Sequence, residues 1–403
     1  MIDVKNVSEQ LKEQAELREF FKNTPAADCG DGVYRQRFDN AEPTDFDALA
    51  KSLTDTYGRA TFEREVRGNR FLGVTAGKGY YYLTYYPSRR SMSLYYAEEG
   101  ELLFGQLAEE GVGIAAEPTV IQFCPTDPLD GPHNTGNFGM CYLFDLGGGH
   151  FLIYDGLADR HEDDERIYAA IREATPVDQH PVIDAWIFTH GHFDHVAGAR
   201  KLLLKHKDDI DVRNFIMNMP DTSRYTLSQV RECIDCYIKW LPDIFSCYPE
   251  AKIWKAHTGQ SFSVGDATVE VLYTHEDHPD EKLAKFNDSS LVTRVNYGKK
   301  SFFFPADVET ETASRLIHDL WGEYLKSDFY QVAHHGWEAY ALEYYYDVDP
   351  KYILLPIRNK HWHSEQYWCF PPSVVLKEEY NSGKRKFFAT LSEDNVIKLG
   401  ETE

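Results

Sequence analysis

The stretch Thr189-His190-Gly191-His192-Phe193-Asp194-His195 decides how the rest of the chain is read. It follows the apolar run Val182-Ile183-Asp184-Ala185-Trp186-Ile187-Phe188 and precedes the small-residue segment Val196-Ala197-Gly198-Ala199, the pattern of a buried strand, a loop and a helix. Three imidazoles and a carboxylate are crowded into a small volume. Neutral imidazole suits zinc, and a hard carboxylate adds charge compensation. His190 and His192 alternate around Gly191 and can point the same way, whereas Asp194 and His195 enter the next turn and can face a second ion. The bland alternative is a polar loop or helix cap, which would place three imidazoles beside an apolar strand with nothing to bind.

His190, His192, Asp194 and His195 fit the H-x-H-x-D-H signature, and in this the chain resembles the metallo-β-lactamase superfamily. The resemblance implies an α/β fold, an αββα sandwich with the metals at one edge of its sheets. His192 stands where the redox branch, the flavodiiron oxidoreductases, carries glutamate, so the likeness is to the hydrolases. The expected organisation is an N-terminal α+β accessory module over residues 1–115 and a metallo-β-lactamase-fold catalytic domain over 116–403, with a helical insertion at 211–250.

Length and charge set outer limits. A chain of 403 residues exceeds the usual single-domain size. Its formal net charge of −23 argues against a broadly basic surface for nucleic acid, leaving a small molecule as the expected substrate. No apolar run approaches the roughly 20 residues needed to cross a bilayer. The start, Met1-Ile2-Asp3-Val4-Lys5-Asn6, lacks an apolar signal core, so a cytoplasmic protein is expected. Seven scattered cysteines read as reduced thiols. Cys233 and Cys236 form a C-x-x-C in a helix-like run without a second pair, which favours packing over zinc or redox chemistry.

Residues 6–22 have helical apolar spacing, and a second helix is predicted from Thr44, with Phe46, Leu49, Ala50 and Leu53 on its apolar face. The period then changes to strands at Phe71–Thr75, Tyr80–Tyr86 and Met92–Tyr96, an antiparallel meander whose tyrosines are expected to pack against a sheet. Further strands are predicted at Thr119–Phe123, Cys141–Asp145 and Phe151–Tyr154, the last two joined through Gly147-Gly148-Gly149-His150. This resembles the opening hairpin of the superfamily, which makes Asp155 a candidate to support the metal loop; as a turn aspartate before Gly156 it has an equally ordinary reading.

The second half supplies the remaining ligands that the resemblance implies. A strand at Ala267–Tyr273 and a hairpin around Gly298 end at Pro305-Ala306-Asp307, where Asp307 falls at the carboxylate that bridges two ions. Tyr330-Gln331-Val332-Ala333-His334-His335-Gly336 delivers two histidines, one of which is expected to complete the second site; we take His335 as the ligand and His334 as a catalytic group. With Asn287-Asp288-Ser289-Ser290-Leu291-Val292, these segments resemble the ComEC-like branch, named after a DNA-uptake protein. Ala306 and Trp337 stand where that branch has glycine and serine. The usual first-site histidine would fall near Asn287-Asp288, with His275 and His278 upstream as substitutes, while His361 and His363 are substrate or proton-transfer candidates. Strands at Lys351–Pro356 and Lys386–Thr390 flank a helix at Pro372–Tyr380.

These readings converge on a hydrolase using metal-activated water, with Asp194, His334 and His363 as catalytic groups and His190, His192, Asp194, His195, Asp307 and His335 as ligands. Two zinc ions are expected, with manganese or iron as substitutes. The ComEC-like features tilt the substrate toward a small phosphodiester, ahead of a lactone, thioester or β-lactam. The missing first-site histidine leaves open a non-catalytic, metal-stabilised binding module.

Overall fold

The computed structural model describes residues 27–28, 33–108, 115–126, 139–219, 227–278, 283–337, 342–357, 362–363, 371–391 and 393–402. The helix expected over residues 6–22 lies outside them. The chain divides into two compact units: Met1–Phe104 with Asp319–Trp321, and Gly105–His318 with Gly322–Glu403.

In the first unit, the tyrosine-rich meander of Asn69–Ala76, Gly79–Tyr86 and Ser91–Ala97 is widened by Val33–Asp39 on one side and Phe62–Val66 on the other. Its pairings are antiparallel throughout. The helix Pro43–Tyr57 begins one residue before Thr44, with proline at its first position and a capping box between Glu42 and Asp45. Its buried face, Phe46, Leu49 and Leu53, packs on Leu72, Val74, Tyr81, Leu83 and Leu94, the alternate residues of the sheet. The tyrosines of the meander are buried except the half-buried Tyr96, on which Tyr81 stacks with ring centroids 4.6 Å apart.

In the second unit, two mixed sheets face each other. The first runs Lys252–Lys255, Asn214–Met217, Val182–Ile187, His150–Asp155, Cys141–Gly147, Thr119–Gln122 and Asn395–Lys398, in that order. The second runs Lys386–Ala389, Tyr352–Leu355, Phe329–Gln331, Lys300–Phe304, Val292–Tyr297, Ala267–Tyr273, Ser261–Val264 and Gly105–Gln106. Phe302 and Phe304 point to the first sheet, where they meet Phe144 at 5.4 and 6.1 Å, and Phe304 stacks on Tyr154 at 4.8 Å. Phe303, between them, points the other way and meets Tyr344 of the helix Leu342–Val348. That alternation puts an aromatic layer between the sheets and helices outside them. On the far side of the first sheet, the helices Asp163–Ala174, Phe193–Lys205 and Leu241–Cys247 supply Ile167, Ile171, Leu202, Leu203 and Ile244 to one core with Ile183, Phe188 and Phe215.

The segment 211–250 is not purely a helical insertion. Asn214–Met217 is a central strand parallel to both Val182–Ile187 and Lys252–Lys255. Among the described residues of this segment, the helical run from Leu227 to Cys247 lies outside the sheet. Among the described residues, no helix is long and apolar enough to cross a membrane.

Candidate metal centre

Val182–Ile187 is buried along its whole length, and its one charged residue, Asp184, is matched by His150 Nδ1 at 2.7 Å. The strand releases the chain at Thr189. The next helix starts at Phe193, with His192 as its extended N-cap, so Asp194 and His195 occupy the first helical turn. Close packing sets this turn: a Cβ on Gly198 would lie 2.2 Å from the Gly156 carbonyl oxygen, which requires glycine where the helix crosses the end of the neighbouring strand.

Asp155, at the end of that neighbouring strand, holds the metal loop. Its carboxylate accepts from Thr189 N at 2.8 Å, from Thr189 Oγ1 at 2.7 Å and from His195 Nδ1 at 2.7 Å, all buried. Asp155 has φ 50°, a left-handed conformation in which aspartate is among the better tolerated residues. The second sheet ties in through Leu291 N, which donates to Thr189 O at 2.8 Å, and through Ser290 Oγ, which accepts from Asp307 N at 3.1 Å.

Three imidazoles are thereby aimed. Thr189 Oγ1 gives its proton to Asp155 and faces His190 Nδ1 at 3.2 Å; His195 Nδ1 donates to Asp155; His335 Nδ1 donates to Pro356 O at 3.2 Å. Each Nε2 is left to face inward, the arrangement by which outer hydrogen bonds fix the tautomer of a metal ligand. His195 Nε2 and His335 Nε2 lie 3.1 and 3.3 Å from Asp307 Oδ2, and His190 Nε2 lies 3.8 Å from it. Asp194 adds Oδ2 at 3.5 Å from His335 Nε2.

Two overlapping donor sets result, His190–His195–Asp307 and Asp194–His195–His335. Bonds of 2.0–2.1 Å to a tetrahedral zinc imply donor-to-donor edges of about 3.3 Å, within the observed range. Within this buried cluster, His190 Nε2 and Asp307 Oδ1 meet no hydrogen-bond partner among the described residues. Buried polar atoms left in that state cost free energy. The donor types, their spacing and these two atoms fit divalent ions.

The electrostatics point the same way. Burial, with His195 and His192 nearby, holds His190 well below the usual histidine range, so its lone pair is available. Burial also opposes charge on His195 and His335, yet Asp307 and its neighbouring carboxylates outweigh it. His195 is pushed well up and His335 is raised to about 9. Burial raises Asp194 and Asp307 in turn, but the imidazoles prevail and both carboxyls lie below their ordinary range. The carboxylates therefore call for positive charge, which protons or metal ions can provide.

The remaining residues singled out in the sequence fall around this cluster. His192, 20 % exposed, joins neither donor set; it turns Nε2 toward Glu232 Oε2 at 3.7 Å and meets the Phe286 ring at a tilt of 41°. His334, left-handed at φ 45° like the adjacent His335 at φ 54°, holds its ring 6.1 Å from that of His335. It meets Asn287 Nδ2 at 3.0 Å and Glu309 Oε2 at 3.3 Å. Such a strained pair costs of order 1–3 kcal/mol per residue and tends to occur at functional sites. Ala306, where the ComEC-like pattern has glycine, also has φ 50°, and its carbonyl accepts from His334 N at 3.0 Å.

Asn287 and Asp288, near the expected first-site histidine, are engaged elsewhere: Asn287 Nδ2 donates to Glu309 Oε2 at 2.5 Å, and Asp288 accepts from Glu309 N, Thr310 N and Thr310 Oγ1. His275 and His278 join neither donor set; the first lies 3.3 Å from Tyr273 Oη and the second stacks on the Tyr273 ring. His363 is exposed and has none of the contacts described for the cluster, while His361 lies outside the described residues. Glu232 and Glu309 were missed by sequence reasoning. Both lie far from the histidine motif in the chain, and no local spacing marks them.

A search of curated proteins finds no match. Among solved structures, a variant of the CmlA beta-hydroxylase is 14% identical with a TM-score of 0.39, covering 70% of this chain and 54% of that one. CmlA, a diiron beta-hydroxylase from Streptomyces venezuelae, is 14% identical with a TM-score of 0.38 and the same coverage, so this chain spans about half the length of these two. A protein of Parabacteroides distasonis ATCC 8503, whose name suggests a metal-dependent hydrolase, is 11% identical with a TM-score of 0.30, over 63% of this chain and 94% of that one. Residues 134–340, about half of the chain and the segment that carries the histidine motif, Asp307 and His335, match the profile of the metallo-beta-lactamase superfamily, and the chain belongs to that superfamily.

Proposed function

We propose that this chain is a binuclear, zinc-dependent hydrolase acting on a small phosphodiester. The observation that carries the reading is the pair of overlapping donor sets that share His195 and close around the Asp307 carboxylate. His190, His192 and Asp307 would hold the first ion, and Asp194, His195, Asp307 and His335 the second. Two divalent ions held there would supply an activated water at neutral pH and positive charge for the oxygen on which negative charge develops.

The chain's own residues do the rest. Asp155 and Thr189 orient the loop imidazoles, and Asp307 offsets the positive charge of two neighbouring ions. His334, braced by Asn287 and Glu309 beside the cluster, is assigned proton transfer at the leaving oxygen. The ComEC-like segments support a phosphodiester, and the acidic charge of −23 supports a small substrate over long nucleic acid.

Hydrolysis of bis(p-nitrophenyl) phosphate by protein reconstituted with zinc, manganese or iron(II) tests this. Turnover lost in Asp307→Ala and His335→Ala is expected. Turnover on a lactone or thioester panel without phosphodiester cleavage would replace the substrate assignment, and tight metal binding without turnover on either would leave a metal-stabilised binding module.

A further inference from the structure

The first ion of this centre lacks the histidine that the superfamily pattern places near Asn287, and the residues there are committed to Glu309, His334 and Thr310. Beside the same loop stands the helix Leu227–Asp235, continued by Cys236 against Gly191. Gln229, Cys233 and Cys236 are buried and, at helical spacing, form one face. Gln229 Nε2 donates to Leu283 O at 2.7 Å, which ties this face to the segment leading to Phe286. Cys236 packs on the metal loop itself: a Cβ on Gly191 would lie 3.3 Å from Cys236 Sγ and 3.4 Å from Phe286 Cζ. At Cys236 the helix becomes a π-helical turn, Cys236–Trp240, an irregularity frequent at functional sites.

Glu232, one turn before Cys236, is delivered to His192 by that docking. Its Oε2 is 3.7 Å from His192 Nε2, too long for a hydrogen bond yet inside the 3.1–4.0 Å range that separates donors across the neighbouring cluster. The ring of His190, whose buried Nε2 meets no hydrogen-bond partner among the described residues, is 4.7 Å from that of His192.

We propose that Glu232 is a protein ligand of the first ion, completing with His190, His192 and Asp307 the set that lacks its usual histidine. The inference rests on the binuclear reading above. It makes the 227–235 helix part of the metal centre and gives the first ion a second carboxylate. That shifts the site from histidine-rich toward the mixed nitrogen and oxygen donors that also suit manganese and iron.

Elemental analysis and cobalt(II) titration, followed by visible absorption, of wild type and Glu232→Gln test it, because glutamine keeps the length and hydrogen bonding of the side chain but removes the anionic donor. Wild type is expected to bind two ions. Glu232→Gln should bind one as tightly and the other more than about tenfold more weakly, with an altered cobalt spectrum. The Glu232 side chain is 55 % exposed, so the metal-free melting temperature should not change, which separates ligand loss from unfolding. Two ions bound by Glu232→Gln with wild-type affinity and spectrum would overturn the inference and leave the binuclear reading standing. A wild type that binds fewer than two ions would overturn both.

Discussion

Replacing Asp155 by asparagine should weaken metal binding without any ligand being touched. The substitution keeps side-chain volume, and asparagine tolerates the φ of 50° found there. What changes is donor count. Three donors, Thr189 N, Thr189 Oγ1 and His195 Nδ1, converge at 2.7–2.8 Å on the two carboxylate oxygens. Asparagine offers one oxygen, so its amide nitrogen must face Thr189 N or the pair formed by Thr189 Oγ1 and His195 Nδ1. In the first case a buried backbone N–H loses its acceptor. In the second, His195 must move its proton to Nε2, the nitrogen that faces Asp307 at 3.1 Å, and its lone pair is lost to the metal. Losing a buried hydrogen bond to a charged group costs about 1.5–3 kcal/mol. Outer-shell substitutions of this kind weaken metal affinity by roughly 10- to 100-fold. Competition against a chromophoric chelator at fixed pH measures the effect, with thermal unfolding of the metal-free protein as control. An affinity within about twofold of wild type would refute the claim that Asp155 sets the His195 tautomer.

Metal uptake should release protons, because His335, raised to about 9, and His195, pushed well up, carry protons that ligation must displace. The proton competes below that range, so affinity should rise with pH toward about 9 and fall as pH drops; calorimetry in buffers of different ionisation enthalpy reads the release directly. Lys299 is exposed at φ 64° beside Gly298 at φ 55°, the paired left-handed residues of a two-residue hairpin. Lys299→Gly should therefore stabilise the fold by about 0.5–1 kcal/mol in urea unfolding, with activity unchanged. Phe304, fully buried between Phe144, Tyr142 and Tyr154, should cost about 3–5 kcal/mol when replaced by alanine, read as a lowered denaturation midpoint.

The parts of this account legible in the sequence are those encoded locally. The run from Val182 to His195 carries its strand, turn and helix start within one stretch, because apolar periodicity and a dense donor cluster coincide there. The helix Pro43–Tyr57 and the strands flanking Gly147–Gly149 and Gly298 are marked in the same way by caps and turn glycines. Phe62–Val66 escaped because its polar alternation is short, although its partner Asn69–Ala76 follows directly, and Val33–Asp39 and Asn395–Lys398 escaped because their partners are distant in sequence. Asn395–Lys398 pairs with Thr119–Gln122, far away in sequence. The divergent placement of His334 and His335 depends on backbone conformation: both are left-handed, and Pro356 O pins His335. The first site was the least legible, because Glu232 reaches His192 only through the packing of Cys236 on Gly191.

The most direct test of the two-ion centre is metal content per chain, measured by elemental analysis after reconstitution and desalting, for wild type and Asp307→Ala. The account predicts close to two ions in wild type and loss of both from Asp307→Ala at the same free metal concentration. Wild type retaining none, or Asp307→Ala retaining two, would contradict it.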